Sequence, residues 1–189
     1  MPRRKPTRLA SFDYRAPGAY FITLVTHERA CLFGGVEGGT MVLNAAGWMV
    51  EDWWLSPPGK FPNVALDTHI IMPNHFHGLV ALNADFSVGV DPRVGPEKSG
   101  AHTSAPLQRK FVSLPEIMRW FKTMTTNAYI RSPPFNKHLW QRSYHDHIVR
   151  NETELNRLRE CVANNPIRWH LDQENPEHCF WANRHHPQN

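Results

Sequence analysis

The sequence predicts an α+β fold in which one antiparallel sheet is covered by helices. Two observations support this prediction. Strand-like and helix-like segments are mixed along the chain, and two strand-like segments are separated only by Pro73 and Asn74, which is typical of an antiparallel hairpin. No internal repeat divides the 189 residues, so we expect one domain over 1–189. We expect it to carry a basic N-terminal arm at 1–10 and a flexible insertion, rich in Gly, Pro and Ser, at about 84–110.

Strands are predicted where β-branched and aromatic residues cluster between turn residues. The first strand follows the turn residues Pro17 and Gly18, and the last ends before Asn151. The predicted strands are 19–28, 64–72, 75–83 and 138–150.

Helices are predicted where capping residues precede apolar residues at helical spacing. Asn44 can start the first, Ser113 and Glu116 have capping-box spacing at the second, and Asn151 and Glu154 can cap the third. The predicted helices are 44–56, 113–131 and 152–165, with Pro57-Pro58 and Pro166 ending the first and last. In the last helix one face should carry Leu155, Leu158, Cys161, Val162 and Asn165.

Composition excludes several classes of protein. The only cysteines are Cys31, Cys161 and Cys179, which form no C-x-x-C pair, so neither a disulfide framework nor a thiolate zinc site is expected. No apolar run is long enough for a membrane span, and the N-terminal residues lack the apolar stretch of a secretory signal. We therefore expect a soluble, cytoplasmic protein with no membrane partner.

The positive charge is concentrated at the N-terminus. The net charge is +4, and the cations Arg3, Arg4, Lys5 and Arg8 all precede the first acidic residue, Asp13. Such an arm suits contact with a phosphate backbone, although a solvated tail that keeps the protein soluble explains it equally well.

The stretch "MPNHFHG" contains the strongest chemical signal in the chain. Side chains of a strand alternate between its faces, so His75 and His77 point the same way and can reach one ion, while Phe76 points to the other side. Two imidazoles leave a divalent metal site incomplete, so a third polar ligand is needed. By itself the pair is weak evidence for a metal site, and two structural or solvent-facing strand histidines are the favoured interpretation.

The surrounding sequence resembles the REP-associated tyrosine transposases, which belong to the IS200-like group of HUH single-strand DNA transposases. The HUH element, two histidines separated by a hydrophobic residue, matches His75-Phe76-His77. Further segments resemble the family in the same order, and together they span roughly residues 10 to 176: "PGAYFITLVTHERACLFG", "FKTMTT", "LWQRSYHDHIVRNE" and "NNPIRWHLDQENP".

The resemblance implies a ferredoxin-like fold and a partner that is single-stranded or hairpin DNA. It also implies a divalent metal, Mg²⁺ or Mn²⁺, held by His75, His77 and Asn165, and a tyrosine nucleophile four residues before the asparagine. In this family the metal and the tyrosine together cut the DNA and leave a 5′-phosphotyrosyl link. The protein would be a monomer or a homodimer, and Lys122 joins the arm as a candidate phosphate contact.

This chain departs from the family at the nucleophile. The position of the tyrosine is occupied by Cys161, which is a candidate nucleophile in its place. Its thiol reaches less far than a tyrosine oxygen, which disfavours this role, and we expect the thiol to pack against apolar neighbours instead. Tyr144, just before the same helix, is an alternative nucleophile, although a structural role in its strand is favoured.

Three functions therefore remain open. The first is a single-strand DNA transposase, the second is a non-catalytic DNA-binding protein derived from a transposase, and the third is a metal-dependent phosphodiesterase that uses water as nucleophile.

Overall fold

The computed structural model describes residues 13–82, 112–131, 138–172 and 174–176. The predicted basic arm and the predicted insertion at about 84–110 lie outside the described residues, and so does Cys179.

The described strands form two antiparallel sheets. Their bounds are β1 Gly18–Val25, β2 Gly34–Glu37, β3 Thr40–Leu43, β4 Val64–Ile71, β5 His75–Leu82 and β6 His145–Val149. The main sheet has the order β4-β5-β1-β6, and every neighbouring pair in it is antiparallel. The first strand thus lies between the two strands that are most distant from it in sequence, which is the ferredoxin-like arrangement. The predicted fold class is confirmed, and β4 and β5 form the predicted hairpin across Pro73 and Asn74.

Four α-helices in the described ranges accompany the sheet: α1 Ala45–Leu55, α2 Pro57–Lys60, α3 Leu114–Ile130 and α4 Glu152–Ala163. The predicted caps are confirmed. The Asn44 side chain accepts hydrogen bonds at the start of α1, Ser113 and Glu116 form the capping box of α3, and the backbone N–H of Glu154 donates to the Asn151 Oδ1 atom at 2.8 Å. These bonds satisfy N–H groups that the first turn of each helix leaves without partners.

The helices divide between the two faces of the main sheet. On one face α1 and α3 bury the apolar core, in which the Phe76 ring lies 4.6 Å from Trp54 and 5.7 Å from Phe121, measured between centroids. On the other face α4 packs against β4, where the Arg159 Nε atom donates to the Asp67 Oδ1 atom at 3.1 Å. The buried residues of α4 do not belong to the main core, so α4 forms a separate layer.

Two predicted strands are too long. The first ends at Val25, and the next residues turn away through a short 3₁₀ helix at His27–Arg29. In the last predicted strand, 138–150, only His145–Val149 pairs continuously along the sheet. Before this segment, Trp140 makes an isolated bridge to Thr26. β-Propensity therefore placed both strands correctly but could not locate the ends, which depend on pairing partners.

The small β2–β3 hairpin was not predicted from the sequence. Its turn contains Gly38 and Gly39, both with positive φ (56° and 78°), which glycine adopts without steric cost. The signal is therefore present in the sequence as a Gly-Gly pair between two short β-rich runs.

Within the described ranges, no helix combines the length and the apolar character that a membrane crossing requires.

Candidate functional site

The two histidines of "MPNHFHG" lie together on the face of β5 that α4 covers. Their ring centroids are 4.7 Å apart. Across the sheet, His77 is paired with Thr23 and His75 with Val25, while Phe76 points into the core between the sheet and α3. The alternation of strand side chains thus brings the two imidazoles together as the sequence predicts.

His75 is held in one tautomer by the residue before it. The Asn74 Nδ2 atom donates hydrogen bonds to the carbonyl oxygens of Arg29 (3.0 Å) and Glu174 (2.6 Å), so its Oδ1 atom is an acceptor. The His75 Nδ1 atom lies 3.0 Å from that oxygen and therefore carries the proton. The Nε2 atom is left with its lone pair, fully buried and without a hydrogen-bond partner among the described residues.

The role of the Asn74 side chain was missed in the sequence, where Pro73-Asn74 is read only as a turn. Asn74 is fully buried, and it ties the loop after β1 to the segment that follows α4. In that loop Glu28 and Arg29 both have φ near 56°, a left-handed conformation that costs energy for residues other than glycine. No local pattern signals these contacts, because the bonded residues are far apart in sequence.

His77 is fixed by two neighbours on β1. Its Nδ1 atom lies 2.9 Å from the Thr23 hydroxyl oxygen, and its ring stacks on Phe21 with centroids 5.1 Å apart. Phe21 covers one side of the His77 ring, so the movement of the imidazole is restricted.

Burial keeps both imidazoles neutral. Desolvation lowers the pKa of His75 to about 4, and the same effect together with the nearby His75 lowers the pKa of His77 to about 3. The neutral ring is the form that binds metal ions, so the environment favours ligand chemistry over a charged histidine pair.

The segment after α4 covers His75. The Trp169 ring centroid lies 5.8 Å from that of His75, and the Asp172 Oδ2 atom is 3.8 Å from the His75 Nε2 atom, too far for a hydrogen bond. The Asp172 Oδ1 atom accepts from the backbone N–H of Glu174 at 2.7 Å, which orients the carboxylate. Trp169 and Asp172 were not singled out in the sequence.

Asn165 and Cys161 differ in their surroundings, contrary to the predicted shared face. The α4 helix ends at Ala163, and the chain then tightens so that the Asn165 N–H donates to the Val162 carbonyl at 3.2 Å. Asn165 is buried, and its Oδ1 atom has no hydrogen-bond partner among the described residues. Cys161 is exposed, so the expectation of a packed thiol is wrong.

Tyr144 lies on the opposite side of the sheet from the histidines. It is 7% exposed and belongs to the main core. The next residue, His145, is paired with Thr23 on the histidine face, so alternation directs Tyr144 to the other face. The structure therefore does not bring this alternative nucleophile to the histidines.

The candidate donor atoms are of kinds that bind divalent ions. No group of three or more His, Cys, Asp and Glu side chains within the described ranges is arranged to hold a metal. The set expected from the family resemblance instead combines two imidazoles with the amide oxygen of Asn165. Two of these donors, His75 Nε2 and Asn165 Oδ1, are buried atoms without partners in the described chain, as unliganded metal donors are. The residues present thus suit the ion.

The candidate phosphate contacts fall into two groups. Arg3, Arg4, Lys5 and Arg8 lie outside the described residues. Lys122 lines an open groove of about 810 Å³ between α3 and the segment that precedes β6, which we call the α3 groove. Its Nζ atom donates to the carbonyl oxygens of Gln141 (2.7 Å) and Arg142 (3.0 Å).

Comparison with solved structures identifies the class of fold. The chain is similar to a REP-associated tyrosine transposase bound to a REP hairpin, with a TM-score of 0.51, 16% identity, and coverage of 80% of this chain and 68% of that one. A putative transposase from Deinococcus radiodurans is also similar, with a TM-score of 0.43, 12% identity, and coverage of 83% of this chain and 95% of that one. The chain thus has the fold of a REP-associated tyrosine transposase.

Comparison with curated proteins identifies the family. The chain is 34% identical over 180 residues to an uncharacterized protein of Haemophilus influenzae, and the match covers 90% of this chain and 92% of that protein. The chain belongs to the same family as this Haemophilus influenzae protein. No protein-family model matches the sequence.

Proposed function

We propose that the protein is a transposase-like protein that binds single-stranded or hairpin DNA and places one phosphate beside a divalent ion held by His75, His77 and Asn165. The fold supports this proposal, and so does the hairpin named as the ligand of the similar solved transposase. Mg²⁺ or Mn²⁺ is the expected ion.

The observation that carries the proposal is the unpaired Nε2 atom of His75. A fully buried acceptor with no partner among the described residues is costly unless a ligand uses it. Asn74 accepts from the other ring nitrogen, Nδ1, so the lone pair of the Nε2 atom is available to an ion. This is how hydrogen-bonded neighbours orient histidine ligands in metal sites.

The chain's own residues divide the work between binding and orientation. Thr23 and Phe21 hold the His77 ring, and Asn74 holds the His75 ring, so both imidazoles are positioned before any ligand arrives. Asn165 offers an amide oxygen at the end of α4. A divalent ion bound to these donors would polarise a phosphodiester and so favour attack on its phosphorus.

The proposal has two versions, which differ in whether the protein supplies a nucleophile. Cys161 occupies the position of the family's tyrosine and is exposed. This substitution favours a second candidate function, a non-catalytic DNA-binding protein that retains the ion site and the DNA surface of a transposase. The two candidates differ only in whether a covalent bond to DNA forms.

Ion binding is tested by calorimetric titration of Mn²⁺ into protein freed of metal with EDTA. We expect one binding event in the parent protein, its loss in His75→Ala and in His77→Ala, and no change in His170→Ala, which removes an exposed histidine. Unchanged binding in both site variants would overturn the assignment of the ligands.

DNA binding is tested with a labelled hairpin that carries a single-stranded flank. We expect the parent protein to retard the hairpin in a native gel, and a denaturing gel with Mn²⁺ reports whether a covalent adduct forms. Retardation without an adduct supports the non-catalytic candidate. Cleaved ends carrying 5′-phosphate and no attached protein would instead support a phosphodiesterase.

A further inference from the structure

The α3 groove lies on the side of the sheet opposite the histidines. One wall is a stripe of α3 that includes Arg119, Lys122 and Asn127, and the other wall is formed by Arg142 and Ser143. The Phe121 side chain of α3 packs on Phe76, which faces away from His75 and His77, so the groove belongs to the α1 and α3 layer.

The groove is positively charged. Among the described residues, its lining contains three cations, Arg119, Lys122 and Arg142, and no carboxylate. Arg119 and Arg142 are exposed and form no ion pair with any described residue. Lys122 bonds to two carbonyl oxygens of the opposite wall, which fixes its charge at that place. An anionic ligand is therefore favoured.

The length and lining of the groove indicate what kind of anion it fits. Lining residues run from Pro115 to Asn127 on α3, a distance of about 18 Å at the helical rise per residue. This is about five nucleotides at the 3.4 Å rise of one duplex strand, so several phosphates can lie along it. Arginine, lysine, serine and asparagine side chains are the usual contacts to DNA phosphates.

We propose that the α3 groove binds the phosphate backbone of the stem of a DNA hairpin. This inference rests on the proposed function, namely that the protein binds hairpin DNA. A single strand fits less well, because sites for unpaired bases combine cations with exposed aromatic rings for stacking. Within the part of the chain that the structure describes, the lining contains one aromatic residue, Tyr144, and its side chain is buried.

The position of the groove suits a hairpin with a flank. Arg142 and Ser143 lead directly into β6, the edge strand of the main sheet. No other described strand pairs with the outer side of β6, so the single-stranded flank of a stem in the groove would extend around β6 towards the histidine face. The stem and the reacting phosphate thus occupy opposite faces of one sheet.

The test measures hairpin affinity by fluorescence anisotropy over a range of KCl concentrations. Arg119→Ala and Arg142→Ala should each lower the slope of log affinity against log salt by about 0.9, the value for one lost duplex phosphate contact. The double variant should lower it by about twice that amount. Arg131→Ala is the matched control, because Arg131 is an exposed arginine at the end of α3 that does not line the groove.

A second measurement locates the contacts on the DNA. Single phosphates of the stem are replaced by neutral methylphosphonates, and affinity is measured for the parent protein. Substitution in the stem should weaken binding at a run of neighbouring positions, and the same substitutions should have no effect on the double variant. This pattern would assign the contacts to the groove.

The outcomes separate the two proposals. If the parent protein does not bind the hairpin, the proposed function fails and the groove assignment fails with it. If the parent binds and the folded double variant keeps the parent's slope, only the groove assignment is overturned. The groove assignment is also overturned if the double variant loses affinity for a bare single strand but not for the stem. A loss of affinity only for a phosphoserine peptide would overturn it as well.

Discussion

The Nδ1 atom of His75 lies 3.0 Å from the Oδ1 atom of Asn74, and this contact determines what the histidine can do. Asn74 can only accept at that oxygen because its nitrogen donates to the carbonyl oxygens of Arg29 and Glu174. Three segments that are distant in sequence thus converge on one amide, and the amide sets the tautomer of the imidazole.

Asn74→Ala should therefore weaken ion binding and reduce stability together. The substitution removes the partner of two part-buried carbonyl groups and of a buried imidazole N–H, which should cost about 1–3 kcal/mol of unfolding free energy in urea denaturation. Loss of the orienting bond should weaken Mn²⁺ binding by about 10- to 100-fold in calorimetry. Asn63→Ala is the matched control, since Asn63 is also buried and its side chain bonds the backbone of Val112, at both N–H and carbonyl. It should lose stability with little change in Mn²⁺ affinity; equal losses of affinity in both variants would contradict the role of Asn74.

Stability should fall as the pH is lowered from about 6.5 towards 4. The folded-state pKa values of His75 and His77 are about 4 and about 3, below the value of about 6.5 for an unfolded histidine. In this window the unfolded chain binds protons that the folded chain does not, so the free energy of unfolding rises with pH. Each buried histidine should contribute a slope of about 1.4 kcal/mol per pH unit. Urea denaturation in EDTA at several pH values measures it.

Two variants check this pH dependence. His75→Gln should flatten the slope of unfolding free energy against pH, whereas His170→Gln, which removes an exposed histidine, should leave it unchanged. A slope that is the same in the parent and in His75→Gln would exclude His75 as its source.

Cys161→Tyr should create or greatly increase a covalent adduct with hairpin DNA in the presence of Mn²⁺. The tyrosine oxygen would attack phosphorus, the bond from phosphorus to the 3′ oxygen would break, and that oxygen would take up a proton. Because Cys161 is exposed, the larger ring needs no cavity, and the unfolding free energy should change by no more than about 0.5 kcal/mol. A denaturing gel detects the adduct.

The adduct has a matched control in Cys161→Phe, which adds the ring without the hydroxyl and should form none. An adduct that the parent protein already forms, and that survives Cys161→Ala, would mean that another residue is the nucleophile.

Gly78→Ala should destabilise the strand that carries the histidines. A Cβ atom at Gly78 would lie 2.6 Å from a Trp54 ring carbon and 2.7 Å from a Phe76 ring carbon. Such overpacking should cost about 1–3 kcal/mol in urea denaturation. Gly35→Ala is the comparison, because nothing lies within 4 Å of its Cβ position. Equal stability of the two variants would show that Trp54 moves aside without cost.

The sequence by itself determined the features that depend on neighbours along the chain. Alternation in a strand placed His75 and His77 on one face, and the caps at Asn44, Ser113 and Asn151 lie where their spacing predicts them. These features follow from local geometry, since a strand repeats every two residues and a cap bonds to its own first turn.

Tertiary structure alone decided the rest of the candidate site. The partners of Asn74 are 45 and 100 residues away, so no local pattern reveals its role. Cys161 lies within α4 and is exposed, whereas Asn165 lies beyond the helix end at Ala163 and is buried, although the apolar periodicity gave them one face. Pairing with β1 directs Tyr144 into the core. In each case the deciding contact joins segments that only the packed sheet brings together, and the burial of each residue depends on that contact.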